Sequence, residues 1–182
     1  MRADWGLIEK GIAKISSQIS NSEISKNLVL ALIAAEDHRY KIHPGVDMFS
    51  MCRAIWRTYA CGRREGGSTI AMQLVRVLTG KYERTVRRKA LEMFYALLLT
   101  KRLGKIEIPR FYLFVAYYGA GMNGLLQATK ELGLDYSDIS IGDAVRVVAR
   151  LKYPEPKSSG KIYSDKIKKR EAYILSRLDE VF

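Results

Sequence analysis

The chain has 182 residues, 48% of them hydrophobic, enough to bury a substantial core, so a disordered chain is excluded and a single domain over 1–182 is expected. Its net charge of +12 at pH 7 attracts polyanions, whether nucleic acid, an anionic membrane leaflet or a pyrophosphate-bearing substrate, and does not choose among them. No run of roughly 18 uncharged apolar residues occurs and the opening Met-Arg-Ala-Asp-Trp-Gly is not a secretory signal, so no spanning helix is expected.

Apolar residues recur at helical spacing nearly throughout, and strand-like alternation is scarce, so the predicted fold is mainly α. An amphipathic helix is predicted over 7–17. A stronger one over 23–35, with Asn21 or Ser22 as N-cap, ends at the Glu36-Asp37 pair. After His43-Pro44-Gly45, Asp47 caps a helix over 48–60 that stops at Gly62, and 63–67 form a mobile link. Ser68 is the expected cap of a helix over 69–78 closed by Gly80. A long helix over 83–103 follows, basic at its start. Gly104 separates it from a helix over 107–118 that starts at Ile106 or Glu107, because Pro109 has to lie in a first turn. Residues 117–124 read as a turn-rich loop. Helices near 125–132, 142–151 (capped by Ser140) and 166–180 complete the pass.

The two cysteines, Cys52 and Cys61, fall in one predicted helix, where a rise of ~1.5 Å per residue separates their Cα atoms by about 13 Å, too far to pair. Neither has a CxxC or Cys/His neighbourhood, so a metal or redox motif is not expected.

Three polar clusters follow one another in the chain. The first is Glu36-Asp37-His38-Arg39-Tyr40 with His43-Pro44-Gly45-Val46-Asp47. Displacement at an anomeric carbon needs a base to take the acceptor's proton and cations to receive charge on the leaving group. Glu36 follows the apolar run 28–35, so a setting that lifts its pKa toward neutrality is expected of it. The second cluster, Gly66-Gly67-Ser68-Thr69 leading to Gln73 and Arg76, offers a helix N-terminus with close backbone approach, and Ser68, Met72 and Arg76 are spaced to share one face. In the third, Arg84, Arg88 and Glu92 are spaced for one helix face, and Arg forks bind phosphate oxygens in pairs. Each cluster alone also fits a plainer role: a solvated helix-end Glu, a capped helix with a surface Arg, or an internal ion pair on a wet face.

With all three in order, the chain resembles the peptidoglycan glycosyltransferase domain, glycosyltransferase family 51, of monofunctional biosynthetic transglycosylases and class A penicillin-binding proteins. The match covers about 23–177. The family's Glu-Asp-x-x-Phe and His-x-Gly-x-Asp stand here as Glu36-Asp37-His38-Arg39-Tyr40 and His43 to Asp47. Its Gly-Gly-Ser-Thr-Ile-Thr-Gln-Gln-Leu stands as 66–74, and its Arg-Lys-x-x-Glu as Arg88-Lys89-Ala90-Leu91-Glu92. The resemblance implies a lysozyme-like helical fold with a larger globular head and a small membrane-facing lobe at about 38–62, where Met48, Phe49, Met51, Ile55 and Trp56 form an apolar stripe.

It further implies polymerisation of lipid II into a growing glycan strand, with inversion. Glu36 and Glu92 would be catalytic, and Asp37, Arg39, His43, Ser68, Thr69, Gln73, Arg76, Arg84 and Arg88 would bind substrate. The implied setting is the outer face of a bacterial cell membrane, peripheral in this chain, with a transpeptidase or other cell-wall synthesis proteins as partners. No metal site is implied, although a pyrophosphate leaves room for a divalent cation, magnesium or manganese. Departures from the family pattern are Met72 for the first Gln, Thr100 for a Glu and Phe114 for the Asn of Tyr-Leu-Asn.

Two other readings stand beside it. A lysozyme-like fold with a helix-end acid can also cleave glycan as a lytic muramidase, although a hydrolase has no use for gathered phosphate ligands. A degenerate member would bind lipid-linked precursors without turnover. The cations Arg63, Arg64, Arg87, Lys168, Lys169 and Arg170 could form a phosphate stripe, yet no nucleic-acid-binding signature accompanies them, and no nucleic acid is expected as partner.

Overall fold

The computed structural model of the chain describes residues 2–19, 23–62, 66–158 and 160–180. Among these residues there are eight α-helices and one two-stranded hairpin, so the mainly α, lysozyme-like expectation holds. The helices are α1 (Arg2–Ile19), α2 (Lys26–Glu36), α3 (Met48–Cys61), α4 (Ile70–Thr79), α5 (Val86–Val115), α6 (Leu125–Glu131), α7 (Ile141–Lys152) and α8 (Lys161–Leu175). Strands β1 (Tyr117–Gly119) and β2 (Met122–Asn123) pair antiparallel in the stretch expected to be turn-rich loop. Short 3₁₀ turns stand at Tyr40–Ile42 and Leu178–Glu180.

The core forms where α2 packs on α5, α7 and α8, and α4 on α5. Leu28, Leu32, Ile70, Met72, Leu74, Leu99, Leu113, Val147 and Ile174 are fully enclosed there. α1 is longer than predicted because its apolar stripe of Ile8, Ile12, Ile15 and Ile19 finds a seat on α4 and α5, and tertiary burial extends a helix that propensity alone leaves weak.

Several boundaries move for local reasons. The predicted caps Asn21 and Ser22 lie outside the described residues. The working cap of α2 is Ser25, whose hydroxyl accepts from Asn27 N–H at 3.3 Å. Asp47 caps α3 as expected, and Gly62 and Gly80, at φ 63° and 64°, end α3 and α4 in the left-handed conformation. Thr69, not Ser68, caps α4, with its hydroxyl accepting from Met72 N–H at 3.3 Å. Thr85 caps α5, so the helix starts at Val86 and not at 83. α8 starts at Lys161 and ends at Leu175, earlier than the predicted 166–180.

Gly104 divides α5 as the sequence suggests, at φ 74° and ψ 166°. Pro109 sits five residues beyond that break and cannot donate to the Lys105 carbonyl one turn back. The Tyr40 hydroxyl takes that place, donating to Lys105 O at 2.8 Å, while Lys105 Nζ donates to the carbonyls of Tyr40 and Lys41. Pro109 is therefore tolerated past the first turn.

α3 differs from the other long helices. Among its residues only Ala54 is buried, and Met48, Phe49, Ile55 and Trp56 are 56–70% exposed. Met51 is half-buried against the core. Cys52 and Cys61 are free and exposed.

Candidate functional site

Glu36 is the last residue of α2, and two donors hold its carboxylate. Arg170 Nη2 of α8 donates to Oε1 at 2.7 Å, and Gln73 Nε2 of α4 donates to Oε2 at 3.0 Å. Behind Gln73 the Tyr112 hydroxyl donates to its Oε1 at 2.6 Å. Arg170 is itself buried, spans Glu36 and the Ala35 carbonyl, and lies over the Tyr173 ring at 5.0 Å. The residues preceding Glu36 are apolar and buried, but the carboxylate meets a guanidinium and an amide, so the apolar setting expected for it is not what surrounds it. In the sequence Arg170 reads only as one of the charges of a phosphate stripe. Its place beside Glu36 depends on packing across 134 residues of chain, which leaves no local signal.

Beneath Glu36 lies a buried network. Asp37 Oδ1 accepts from His43 Nε2 at 2.9 Å, and Oδ2 accepts from the Ile70 N–H at 3.1 Å, so Asp37 covers an open donor in the first turn of α4. His43 Nδ1 accepts from Gly45 N–H, which leaves the imidazole proton on Nε2. The Thr69 hydroxyl donates to the Gly45 carbonyl at 2.6 Å. The structure thus places Asp37, His43 and Thr69 inside the frame, all no more than 6% exposed. Arg39 stands at its edge, bonded to Asp47 Oδ2 at 2.8 Å and stacked over Phe49. Burial pushes the Asp47 carboxyl up, but the Ser50 hydroxyl and N–H and the Arg39 guanidinium outweigh it and hold the group at about 2.

The second carboxylate, Glu92, is 3% exposed and ringed by cations. Arg76 reaches it through Nε at 3.2 Å and Nη2 at 3.0 Å, Lys89 Nζ at 2.9 Å, and Arg88 Nη1 bonds its other side. Ser68 Oγ accepts from Lys89 at 2.8 Å and from Arg76 at 3.4 Å. Burial works against the Glu92 charge, but Arg76 and Lys89 together lower its pKa below the ordinary carboxylate value. Burial also lowers that of Lys89, with Glu92 opposing. A cavity of about 560 Å³ opens beside the cluster, lined by Arg76, Lys81, Arg87, Arg88 and Tyr95 among others.

Arg84 precedes the Thr85 cap and is exposed, so it does not continue the helical ladder of Arg88 and Glu92. Ser68 precedes α4, so it does not continue the helix face that Met72 and Arg76 share, although it reaches Arg76 from the loop; Met72, at the inner edge of that face, is fully buried. The substitution at Met72 therefore points into the core. Thr100 donates to the Ala96 carbonyl, and Phe114 packs partly buried against the core. Arg63 and Arg64 lie outside the described residues. Among the described residues no group of three or more His, Cys, Asp or Glu stands where a metal ion could be held.

Gln73 and Arg76 join the halves of the site: one helical turn apart on α4, they hold Glu36 and Glu92 respectively. One carboxylate is positioned by two donors, and the other is buried in positive charge next to a cavity.

The transglycosylase family matches residues 8–179 of the chain. Penicillin-binding protein 2a of Streptococcus pneumoniae is 37% identical over 152 residues, covering 81% of this chain and 20% of that protein. Penicillin-binding protein 1A of Vibrio cholerae is 34% identical over 164 residues (88% and 20%). Penicillin-binding protein 1F of Bacillus subtilis is 32% identical over 164 residues (89% and 23%). The chain spans about a fifth of the length of these relatives.

Proposed function

Because this chain belongs to the transglycosylase family, a family of peptidoglycan glycosyltransferases, we propose that it polymerises lipid II into glycan strands. Glu36 takes the proton from the 4-hydroxyl of the acceptor's N-acetylglucosamine. That oxygen bonds to the anomeric carbon of the lipid-linked donor from the face opposite the departing phosphate, so the centre inverts. The bond from the anomeric carbon to the phosphate oxygen breaks, and its electron pair leaves on undecaprenyl pyrophosphate.

The observation that carries this reading is the unequal treatment of two carboxylates tied to one helix. Two directed hydrogen bonds hold Glu36, which leaves lone pairs for an acceptor hydroxyl, as a base requires. Glu92 draws Arg76, Arg88 and Lys89 into one buried cluster, where positive charge can answer the charge developing on the leaving pyrophosphate. Arg84, exposed in the loop before α5, would reach donor phosphate as that phosphate enters. Asp37, His43 and Thr69 serve the reaction by fixing α4 under Glu36. The cation-rich wall disfavours a muramidase, whose substrate carries no pyrophosphate.

The exposed stripe of α3 lies on the outer face of the cell membrane, where the lipid-linked substrate resides. No described helix is long and apolar enough to cross a membrane. The exposed Met48, Phe49, Ile55 and Trp56 make α3 the membrane contact we assign. A transpeptidase acting on the product is the partner class that follows. A divalent cation, magnesium or manganese, would bind with the donor's phosphates.

The test is incubation of the purified chain with labelled lipid II in detergent, beside Glu36→Gln. Polymer from the parent alone is expected. Equal polymer from Glu36→Gln removes Glu36 as base, and saturable lipid II binding without polymer would make the chain a binding protein.

A further inference from the structure

Tyr112 is buried on α5, yet its hydroxyl is not idle: it donates to Gln73 Oε1 at 2.6 Å, and Gln73 Nε2 in turn donates to Glu36 Oε2 at 3.0 Å. A primary amide can turn either its oxygen or its NH₂ toward a neighbour, and only the NH₂ stabilises an ionised carboxylate. The orientation of Gln73 therefore depends on what stands behind it. Burial pushes the Tyr112 phenol above its ordinary value, and the Glu36 charge pushes the same way, so the phenol keeps its proton and remains able to donate.

We propose that Tyr112 and Gln73 are a positioning pair for Glu36: the phenol fixes the amide with its oxygen inward, and the amide's NH₂ holds and aims Glu36 Oε2. The assignment rests on the reading of Glu36 as the base. Arg170 holds the other oxygen, so donors from α4 and α8 together set the plane of the carboxylate at the end of α2. Without the phenol the amide can turn over and present its oxygen to Glu36. Two acceptors would then face each other, and the base would swing out of its aim before the acceptor arrives. Tyr112 touches no substrate in this account and acts wholly through Gln73.

Tyr112→Phe keeps the ring and deletes the donor. The expected result is a melting temperature lowered by a few degrees at most, a KM for lipid II within about twofold of the parent and a kcat about tenfold lower. Gln73→Met, of similar length without hydrogen bonds, should lower kcat at least as far. Adding Tyr112→Phe to it should change kcat by less than about twofold, because the phenol has nothing left to act through. Effects that multiply in the double variant would overturn the pair, as would a Tyr112→Phe defect confined to KM or stability.

A readout independent of turnover separates this proposal from the reading it rests on. With ¹³C-carboxylate-labelled glutamate, the infrared band lost in Glu36→Gln identifies the Glu36 carboxylate, and that band should move in both Tyr112→Phe and Gln73→Met. An unmoved band overturns the positioning role even in a chain that polymerises lipid II. A moved band in a chain that makes no polymer upholds the pair while the proposed reaction fails.

Discussion

Glu92 illustrates how a single buried charge can organise a site. Its carboxylate offsets part of the charge of Arg76, Arg88 and Lys89, side chains that are all at least 70% buried and repel one another. Glu92→Gln keeps the volume and removes the charge, so three cations lose their counter-ion. Removing one partner from a buried ionic cluster costs about 3–5 kcal/mol, and the outer exposure of these cations brings the expected loss nearer 2 kcal/mol. Urea unfolding should show that loss, with lipid II turnover reduced as well. A Glu92→Gln chain as stable as the parent would mean that the cations are screened by water. Asp47 gives a pH signature at the same scale. Its folded pKa, about 2, lies below the ordinary carboxylate value, so the stability it contributes is fully present above about pH 4 and is lost as pH falls toward 2. Unfolding measured across that window should show a fall in stability of roughly 1–2 kcal/mol that is absent in Asp47→Asn.

At the scale of elements, α4 is the reference to which the site is fixed, and the fixing is done by a carboxylate with two donors to satisfy. Asn at position 37 has one acceptor oxygen for both His43 Nε2 and the Ile70 N–H, so Asp37→Asn should cost about 1–3 kcal/mol. Differential scanning calorimetry would register it, and an unchanged transition would show that water replaces one bond freely. Gly45, at φ 112°, has Thr100 Oγ1 only 2.2 Å from where a Cβ would stand, and Gly45→Ala should destabilise the chain more than the Asp37 change does.

Local chemistry explains what could be read in advance here. Asp47, Gly62, Gly80, Gly104 and Ser140 act within a few residues of themselves, and the sequence reading places all five correctly. The choice of Thr69 over Ser68 was not legible, because it turns on a bond to Gly45 from 24 residues away. Nor was the start of α5, where Thr85 competes with an acceptable helix beginning at 83, and Arg84 lost its predicted face as a result. Arg170 beside Glu36 and Tyr112 behind Gln73 required the packed fold, since helical periodicity says which face is buried and not what it meets.

For the whole molecule, the net charge of +12 and the apolar face of α3 act together. Long-range attraction to an anionic surface falls with salt, whereas apolar insertion does not. Binding to vesicles containing anionic phospholipid should therefore weaken as salt rises from low to physiological strength. Trp56→Ser, which removes a side chain 70% exposed on α3, should lower binding even at low salt. Sedimentation of the chain with vesicles measures both effects, and a Trp56→Ser chain that binds as the parent does would remove α3 from the contact.

The two thiols on that helix provide a way to watch it. Cys52 and Cys61 are the chain's two cysteines, both free and exposed, and both belong to α3. A maleimide dye or nitroxide added to the native protein will attach to this one helix and leave α4, α5 and the carboxylates unlabelled. Single Cys→Ser variants then give two reporters on one rigid rod, and the difference in their quenching by lipid-borne probes would read out the tilt of α3 at the proposed membrane contact without any engineered cysteine.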